Sequence, residues 1–252
     1  MRLSIADRDK VERRLKELQQ DSFYHYFPLL LAISERSKRM EVDSEGNVWV
    51  GDGELYFEGT PSAMSKARRV WVSQNKPPMG WRFEVYDVNY VYELKTTLQV
   101  KNFRDNVKRF ERDNPKVRVA PFERGEALNL LEEWYSAGKR REYSDFGYTL
   151  YLVEHFEDFG DLEGFLVYLD GDTVGGLSVW GRLGPDTAIH LVCKTRSDPF
   201  LHDFTRYKTY EVMADKGFKY VNDGSDVGIP GIRIYKTKLR PWLIYPVWSW
   251  FR

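Results

Sequence analysis

The residues with the clearest chemical potential lie in one run, NDGSDVGIPGIRIYKTKLRP, from Asn222 to Pro241. Acidic groups come first, at Asp223 and Asp226, and basic groups follow, at Arg233 and Lys236. The two basic residues are three positions apart, so on a helix they would share a face and reach one anion together. The free N–H groups of a helix N-terminus would strengthen such a site. The run therefore predicts either a site for an anionic, phosphate-bearing substrate or a capped surface helix with salt bridges.

A second basic cluster lies in LQVKNFRDNVKRFERDNP, which has the apolar spacing of an amphipathic helix. Its polar side carries Lys101, Arg104 and Lys108. A contact with a phosphate-bearing substrate is one interpretation of this side. A solvated helix face is the other, because Asp105 and Glu111 dilute the positive charge. The sequence predicts the helix and leaves its partner open.

His190 and Lys194 lie on a predicted apolar strand, IHLVCK. A histidine within an apolar strand, such as His190, is more often packed and hydrogen bonded than catalytic. Lys194 either extends the basic surface or ends the strand in solvent. We expect no metal site, because the four histidines are scattered and no pair has the helical spacing of metal ligands. The single Cys193 excludes an internal disulfide.

Charge and composition limit the classes of function. Among 252 residues, Lys plus Arg and Asp plus Glu number 38 each, so the chain as a whole is not strongly basic. No stretch approaches the ~20 apolar residues of a membrane span, so we expect a cytoplasmic protein, with a peripheral membrane contact as an alternative. The motifs of serine hydrolases, zinc proteases, P-loop enzymes and dinucleotide-binding enzymes are missing from the sequence.

The segments that must position these residues alternate between helices and strands. Residues 4–20 have the apolar spacing of a helix, and NVWVGDGELYFEG predicts a β-hairpin around its Gly-Asp-Gly turn. SAMSKARRVWVSQ predicts a helix, and WRFEVYDVNYVYEL predicts one or two strands. A further helix is predicted for GEALNLLEEWYSAGKRR.

The second half of the chain has a more regular order. Three consecutive strands end at DTAIHLVCK, and a long helix, HDFTRYKTYEVMADKG, follows them. A short strand, a glycine-rich loop, a short helix and an apolar strand come next. This is the order of an N-acetyltransferase-like (GNAT-like) α+β domain. Because the first half alternates in a looser way, we predict two such domains in tandem, residues 1–115 and 116–252, with mixed, mostly antiparallel sheets flanked by helices.

The C-terminal run also resembles the motif of the phosphatidylglycerol lysyltransferase C-terminal-type domain family. TVGGLSVWGR, IHLVCK and NYVYELKTTLQVKNFRDNVKRF look like three further segments of that family, so the resemblance covers roughly residues 85–245. The residues that match the C-terminal motif are Asn222, Asp223, Asp226, Gly228, Pro230, Gly231, Arg233, Lys236 and Pro241.

This resemblance implies a tandem acetyltransferase-like fold and transfer of an aminoacyl group from aminoacyl-tRNA to an acceptor such as a lipid head group. The co-substrate would be aminoacyl-tRNA, tRNA would be the partner, and no cofactor would be tightly bound. Lys236 and Arg233 would hold the donor phosphate or stabilise an oxyanion, and Asp226 or Asp223 would orient or deprotonate the acceptor. The predicted catalytic residues are thus Asp226, Lys236 and His190. The predicted substrate-binding residues are Asn222, Asp223, Arg233, Lys194, Lys101, Arg104 and Lys108.

One segment departs from the related patterns. TRSDPFLHDFTRYK contains no glycine, whereas coenzyme A acetyltransferases have a glycine-rich pyrophosphate loop there, and the lysyltransferase family has a glycine nearby. This departure weakens the case for an acyl-CoA donor and predicts a remodelled donor or acceptor pocket. Two alternatives stay open. One is N-acyl transfer from an acyl-CoA or another acyl thioester, and the other is a non-catalytic module that binds a nucleic acid, a peptide or a membrane.

Overall fold

The computed structural model describes residues 1–19, 21–137 and 145–252. Within these ranges it has eleven strands and ten α-helices. The strands are β1 (Glu41–Val42), β2 (Val48–Gly51), β3 (Glu54–Leu55), β4 (Arg69–Ser73), β5 (Arg82–Glu93), β6 (Arg118–Pro121), β7 (Glu163–Leu169), β8 (Thr173–Arg182), β9 (Thr187–Thr195), β10 (Tyr220–Asn222) and β11 (Leu243–Phe251). The helices are α1 (Arg8–Glu17), α2 (Phe27–Arg36), α3 (Pro61–Lys66), α4 (Leu94–Thr97), α5 (Lys101–Asp113), α6 (Arg124–Ala137), α7 (Phe146–Glu154), α8 (Phe156–Phe159), α9 (Leu201–Asp215) and α10 (Pro230–Lys238).

All described strands belong to one sheet, in the order β1-β2-β3-β4-β11-β5-β10-β9-β8-β7-β6. The pairs β3 with β4 and β9 with β10 are parallel, and the other pairs are antiparallel. The predicted order of the second half is confirmed: β7, β8 and β9 run antiparallel, α9 crosses over, and β10 returns parallel to β9. The chain thus has a mixed α/β fold with one large, mostly antiparallel sheet flanked by helices.

Strand β11 links the two halves of the sheet. It pairs with β4 on one side and with β5 on the other, although β5 ends at Glu93 and β11 begins only at Leu243. A boundary at residue 115 would therefore not separate two independent sheets. The division into domains 1–115 and 116–252 stays a prediction.

The sheet has a hydrophobic core on each face. Successive residues of a strand point to opposite faces, and β7 shows this alternation: Leu166 packs in the first core, whereas Phe165 and Val167 pack in the second. Helices α1, α2, α6 and α7 contribute to the first core, and α5 and α9 to the second. The end of β10, where the candidate site begins, lies beside the second core, which contains Val221.

Several local predictions have clear outcomes. The hairpin is confirmed as β2 and β3, with Asp52 and Gly53 between them. The helix predicted for SAMSKARRVWVSQ is wrong in its second half, because α3 ends at Lys66 and Arg69–Ser73 form β4. The helix predicted up to residue 141 is seen as α6 to Ala137, and residues 138–141 lie outside the described residues. Within the described part of the chain, no helix has both the length and the apolar character needed to cross a bilayer.

His25 makes the stability of this fold sensitive to acid. Its side chain is buried, with Nδ1 2.8 Å from Ser22 Oγ and its ring edge-on to Phe57. Burial lowers the pKa of His25 to about 3, below the ordinary value of 6.5. Between these two values the unfolded chain binds a proton that the folded chain does not, so stability falls as the pH falls through this window.

We expect the free energy of unfolding to decrease by up to about 1.4 kcal/mol per pH unit from this one residue as the pH falls from 6.5 to 4. Urea unfolding of His25→Gln across this range should give a correspondingly shallower dependence on pH. His155→Gln is the matched control, because the His155 side chain is 41% exposed. Equal slopes for the wild type and His25→Gln would contradict the prediction.

Candidate functional site in the cavity between strands β9 and β10

The candidate site forms where two parallel strands separate. β10 pairs with β9 only as far as Asn222 opposite Ile189. Beyond that pair β9 continues to Thr195, whereas β10 ends and the chain enters the loop before α10. A cavity of about 630 Å³ opens at this point. Its polar lining includes His190, Lys194, Arg206, Asp223 and Lys236.

Asn222 fixes the start of the loop. Its Nδ2 donates to Asn89 Oδ1 at 3.2 Å and to the Tyr245 hydroxyl at 3.1 Å, and its Oδ1 accepts from the backbone N–H of Gly224 at 3.0 Å. Gly224 has a φ of +65°, and a Cβ at this position would lie 2.9 Å from the ring of Phe23. The turn therefore requires glycine, and it holds Asp223 in place next to β9.

The Asp223 carboxylate is the centre of a buried charge cluster. Its Oδ1 accepts from His190 Nδ1 at 2.9 Å. Its Oδ2 accepts from Lys236 Nζ at 2.9 Å and also from Arg206 Nη1. Lys236 Nζ donates in addition to the main-chain oxygen of Asp223. All four side chains are 8% exposed or less, so these interactions are shielded from water.

Burial and mutual charge shift the pKa values of this cluster. Burial alone would raise the pKa of Asp223, but the adjacent Arg206 and Lys236 hold it well below its usual range. Burial lowers the pKa of Lys236, and Asp223 only partly offsets this effect. Burial also lowers the pKa of His190 against the opposing hydrogen bond to Asp223. The cluster thus contains a firmly ionised carboxylate and a lysine that loses its proton more readily than usual.

His190 is hydrogen bonded through both ring nitrogens. A carboxylate only accepts, so Nδ1 carries the proton toward Asp223, while Nε2 lies 3.1 Å from Ser178 Oγ. Ser178 in turn lies 2.7 Å from Thr209 Oγ1. This arrangement corresponds to the packed, hydrogen-bonded interpretation of the residue. Its assignment as a catalytic base stays a prediction.

Asp226 and Arg233 form a separate pair that shapes the loop. Asp226 Oδ2 accepts from the Tyr90 hydroxyl at 2.6 Å and from Arg233 Nε at 2.7 Å, and its Oδ1 accepts from the Gly228 N–H at 2.9 Å. Burial would raise the pKa of Asp226, but the bonds from Arg233 and Tyr90 lower it overall. Neither member of the pair is among the residues that line the cavity.

The expected joint anion site of Arg233 and Lys236 is not formed in this structure. Lys236 is buried on Asp223, whereas the Arg233 side chain is 59% exposed and bonds to Asp226. Three helical residues correspond to a rotation of about 300°, so the two side chains diverge by about 60°. That divergence is enough to place one side chain in the cavity and the other in solvent.

The remaining predicted residues lie in two places. Lys194 lines the cavity and binds Asp145. Lys101, Arg104 and Lys108 lie on α5, outside the cavity lining. Lys101 and Lys108 are exposed, and Arg104 is half-buried. Their role in substrate binding stays a prediction.

Arg206 is the most important residue that the sequence did not single out. It lies on α9, and its Nη2 is 3.3 Å from His202 Nε2. His202 and Arg206 are four residues apart and therefore share a helix face, which is the only signal that the sequence offered. Arg206 reaches Asp223 from an element that is distant in sequence from the C-terminal run, so the motif alone did not reveal it.

Cys193 and His202 also line the cavity, with Sγ 3.7 Å from Nδ1. Burial raises the pKa of the Cys193 thiol to about 11 and lowers the pKa of His202 to about 3. The pair is therefore a neutral thiol beside a neutral imidazole, unlike the thiolate of a nucleophilic cysteine. This argues against a covalent thioester intermediate. Among the described residues, no three His, Cys, Asp or Glu side chains are placed to hold a metal ion.

Comparison with known proteins identifies the family. The family model "Phosphatidylglycerol lysyltransferase, C-terminal" matches residues 61–249. The chain belongs to this family, as the C-terminal motif predicted, and family membership makes it an enzyme of the aminoacyltransferase class. A search of curated protein sequences finds no match.

Solved structures share the fold at low sequence identity. A conserved protein of unknown function from Bacteroides thetaiotaomicron has a TM-score of 0.81 at 15% identity, covering 99% of this chain and 97% of that one. L-PGS from Bacillus licheniformis has a TM-score of 0.65 at 17% identity, covering 97% and 91%. FemX has a TM-score of 0.62 at 11% identity, covering 100% and 97%. At these identities the likeness shows the fold alone.

The two carboxylates of the motif should differ in their contribution to stability. Asp223→Asn leaves the Arg206 guanidinium, which stays charged, buried without a counter-charge, and we expect it to reduce the free energy of unfolding by about 3–5 kcal/mol. Asp226→Asn is the matched control, because its Arg233 partner reaches water; we expect a loss of about 1 kcal/mol. Urea unfolding of both variants at pH 7 measures the difference, and equal losses would contradict the importance of the cluster.

Proposed function

We propose that the chain transfers an aminoacyl group from aminoacyl-tRNA to an amine or hydroxyl acceptor in the cavity between β9 and β10. The observation that carries this proposal is the buried cluster of Arg206 and Lys236 on Asp223. In the reaction, the acceptor attacks the ester carbonyl carbon, the carbonyl oxygen gains negative charge, and the ester bond to the ribose breaks. The ribose oxygen then takes up a proton. These steps require a fixed positive charge and a group that accepts and then donates a proton.

Lys236 supplies the group that moves protons. The Asp223 carboxylate lies against two cations, and a buried site does not tolerate an unbalanced charge well. Arg206 cannot lose its proton, so the balance is restored when Lys236 becomes neutral. A neutral amine still donates its two hydrogen bonds to Asp223 and keeps a lone pair. That lone pair accepts the proton of the attacking acceptor, and the same proton passes to the departing ribose oxygen.

Arg206 supplies the fixed positive charge. Its guanidinium is anchored to Asp223 and borders the cavity, so it stabilises the carbonyl oxygen as negative charge develops there. Asp223 is a poor base because its pKa is held so low, and it serves instead to orient both cations. Asn222 and Asp226 hold the loop that carries Asp223.

The cations outside the cavity lining bind the phosphates of the donor in this proposal. Arg233 lies in the first half of α10, where it can contact a phosphate beside the cavity. Lys101, Arg104 and Lys108 on α5 contact the tRNA further from the reacting ester. A nucleic acid is bound by such local basic surfaces even when the net charge of the chain is zero.

Transfer itself is tested with a mixture of charged tRNAs that carry labelled amino acids. The acceptors are a panel of amines and hydroxyl compounds that includes phosphatidylglycerol, because the family is named for it. We expect label in an acceptor, detected as a mass shift. A parallel reaction with acyl-CoA thioesters separates the two enzyme alternatives. Saturable binding of tRNA without transfer to any acceptor would overturn the proposal and favour a binding module.

Lys236 variants test the proton-transfer role. Lys236→Arg keeps a positive charge but cannot lose a proton, and we expect kcat/KM to fall by about 100-fold or more in both Lys236→Arg and Lys236→Ala. Lys238→Ala, an exposed change on the same helix, is the control and should keep wild-type activity. Circular dichroism and thermal unfolding establish that the variants fold. A Lys236→Arg enzyme with wild-type activity would show that Lys236 acts only through its charge.

The dependence on pH gives a separate test of the same role. The neutral form of Lys236 is the active base, so kcat/KM should rise with pH up to a kinetic pKa below the ordinary lysine value of about 10.4. Arg206→Met removes a neighbouring positive charge, which should raise the Lys236 pKa. The rise of kcat/KM with pH should then occur at a higher pH than in the wild type. The measurement is a series of kcat/KM values from pH 6 to 10. A rise of kcat/KM at a lower pH in Arg206→Met than in the wild type would contradict the assignment of Lys236 as the base.

The basic side of α5 is tested by charge reversal. We expect Arg104→Glu combined with Lys108→Glu to weaken tRNA binding and to lower the slope of log Kd against log salt by about 1 for each phosphate that the variant no longer neutralises. The matched control reverses two exposed cations elsewhere on the surface, with Arg39→Glu and Lys66→Glu. Fluorescence anisotropy with labelled tRNA measures both variants. If the two pairs of changes weakened tRNA binding equally, the effect would come from net charge alone, and a specific contact between α5 and tRNA would be contradicted.

A further inference from the structure

The cavity already holds an ammonium group that belongs to the protein itself. Lys194, near the end of β9, donates from Nζ to both carboxylate oxygens of Asp145, at 2.7 and 2.8 Å. The same nitrogen lies 4.2 Å from the ring centre of Trp134 on α6. The Lys194 side chain is only 11% exposed, and all three residues line the cavity.

A carboxylate beside an aromatic face is the chemistry that recognises a primary ammonium ion. In this protein Lys194 occupies that recognition site. The other carboxylate of the cavity lining, Asp223, is bonded by Arg206 and Lys236. Among the described residues that line the cavity, every carboxylate therefore has a cationic partner within the protein.

The rest of the lining suits an uncharged group. Val227, Ile229 and Ile232 border the cavity from the loop and α10, and the aromatic side chains of Tyr24 and Tyr148 border it from the opposite elements. Asp145 is bonded to Lys194, and Asp223 is bonded to Arg206, which stays charged. A further cation would therefore find no unpaired carboxylate among the described residues of the lining.

We propose that this cavity selects aminoacyl donors with uncharged side chains, and that Lys194 determines this specificity by filling the ammonium site formed by Asp145 and Trp134. The inference rests on the aminoacyl-tRNA function proposed above. The α-amine of the donor does not conflict with it, because the adjacent ester withdraws electrons and makes that amine a weak base. The ε-amine of a lysyl donor has an ordinary pKa of about 10.4 and would enter as a cation.

Binding of stable donor analogues tests this specificity without any need for turnover. The probes are 3′-amino-3′-deoxyadenosines that carry an alanyl, leucyl or lysyl group in amide linkage, measured by isothermal titration calorimetry. We expect the wild type to bind the leucyl or alanyl analogue at least tenfold more tightly than the lysyl analogue. Lys194→Ala vacates the ammonium site and should reduce that preference at least fivefold by gaining affinity for the lysyl analogue.

Two further measurements identify the cause. Lys194→Ala combined with Asp145→Asn should lose the gained affinity for the lysyl analogue, because the carboxylate that binds the ammonium is gone. The n-butylammonium ion should raise the thermal unfolding temperature of Lys194→Ala and leave that of the wild type unchanged. Thermal unfolding also establishes that each variant folds, and the comparison of analogues on the wild type requires no variant.

The outcomes separate the two proposals. Equal affinity of the wild type for leucyl and lysyl analogues would overturn the specificity proposal and leave the aminoacyl-tRNA function standing. A preference of the wild type for the lysyl analogue would likewise overturn the specificity proposal and leave the aminoacyl-tRNA function standing. Failure of the wild type and of Lys194→Ala to bind any of the three analogues would overturn the aminoacyl-tRNA function, and the specificity proposal with it.

Discussion

The buried carboxylate of Asp223 is the interaction on which the rest of this site depends. It joins four elements: the loop after β10, His190 on β9, Arg206 on α9 and Lys236 on α10. Removing these charges from water is costly, and the cost is offset only when each hydrogen bond is well placed. The cluster therefore fixes the positions of two helices, strand β9 and the end of β10 relative to one another, and the cavity is bordered by the same residues.

The charge of this cluster connects its structure with its chemistry. One carboxylate against two cations is balanced either by an anion in the cavity or by loss of a proton from the stronger acid of the two cations, which is Lys236. Both solutions serve acyl transfer from an ester, since an oxyanion forms during the reaction and a proton must move to the departing oxygen. The pair of Lys194 and Asp145 nearby is balanced within itself. The charge that must be balanced thus lies in the Asp223 cluster, where the reaction is proposed to take place.

Local patterns predicted the strand order of the second half and the loop and helix of the motif, because turn residues and periodicity are recorded within short stretches. Contacts between residues that are distant in sequence produce no such local pattern. The bond from Arg206 to Asp223 and the place of β11 between β4 and β5 depend on how the sheet assembles. Helix α2 was missed for a different reason: Phe27, Leu30 and Ala32 are buried along with most of its other residues, so its sequence shows no polar side.

The motif also shows why residue type and spacing cannot assign roles by themselves. Asp223 and Asp226 are three residues apart in a glycine-rich loop, and each binds a cation of the same helix. Only their surroundings differ. Lys236 is enclosed with Arg206, so its proton is labile, whereas Arg233 reaches water and keeps its charge at no cost. One pair is therefore enclosed beside a second cation in the cavity lining, whereas the other holds the loop and leaves its cation at the surface. The spacing of the motif gives the angle of about 60° that separates the two cations around α10, but it does not show which side of the helix faces the cavity.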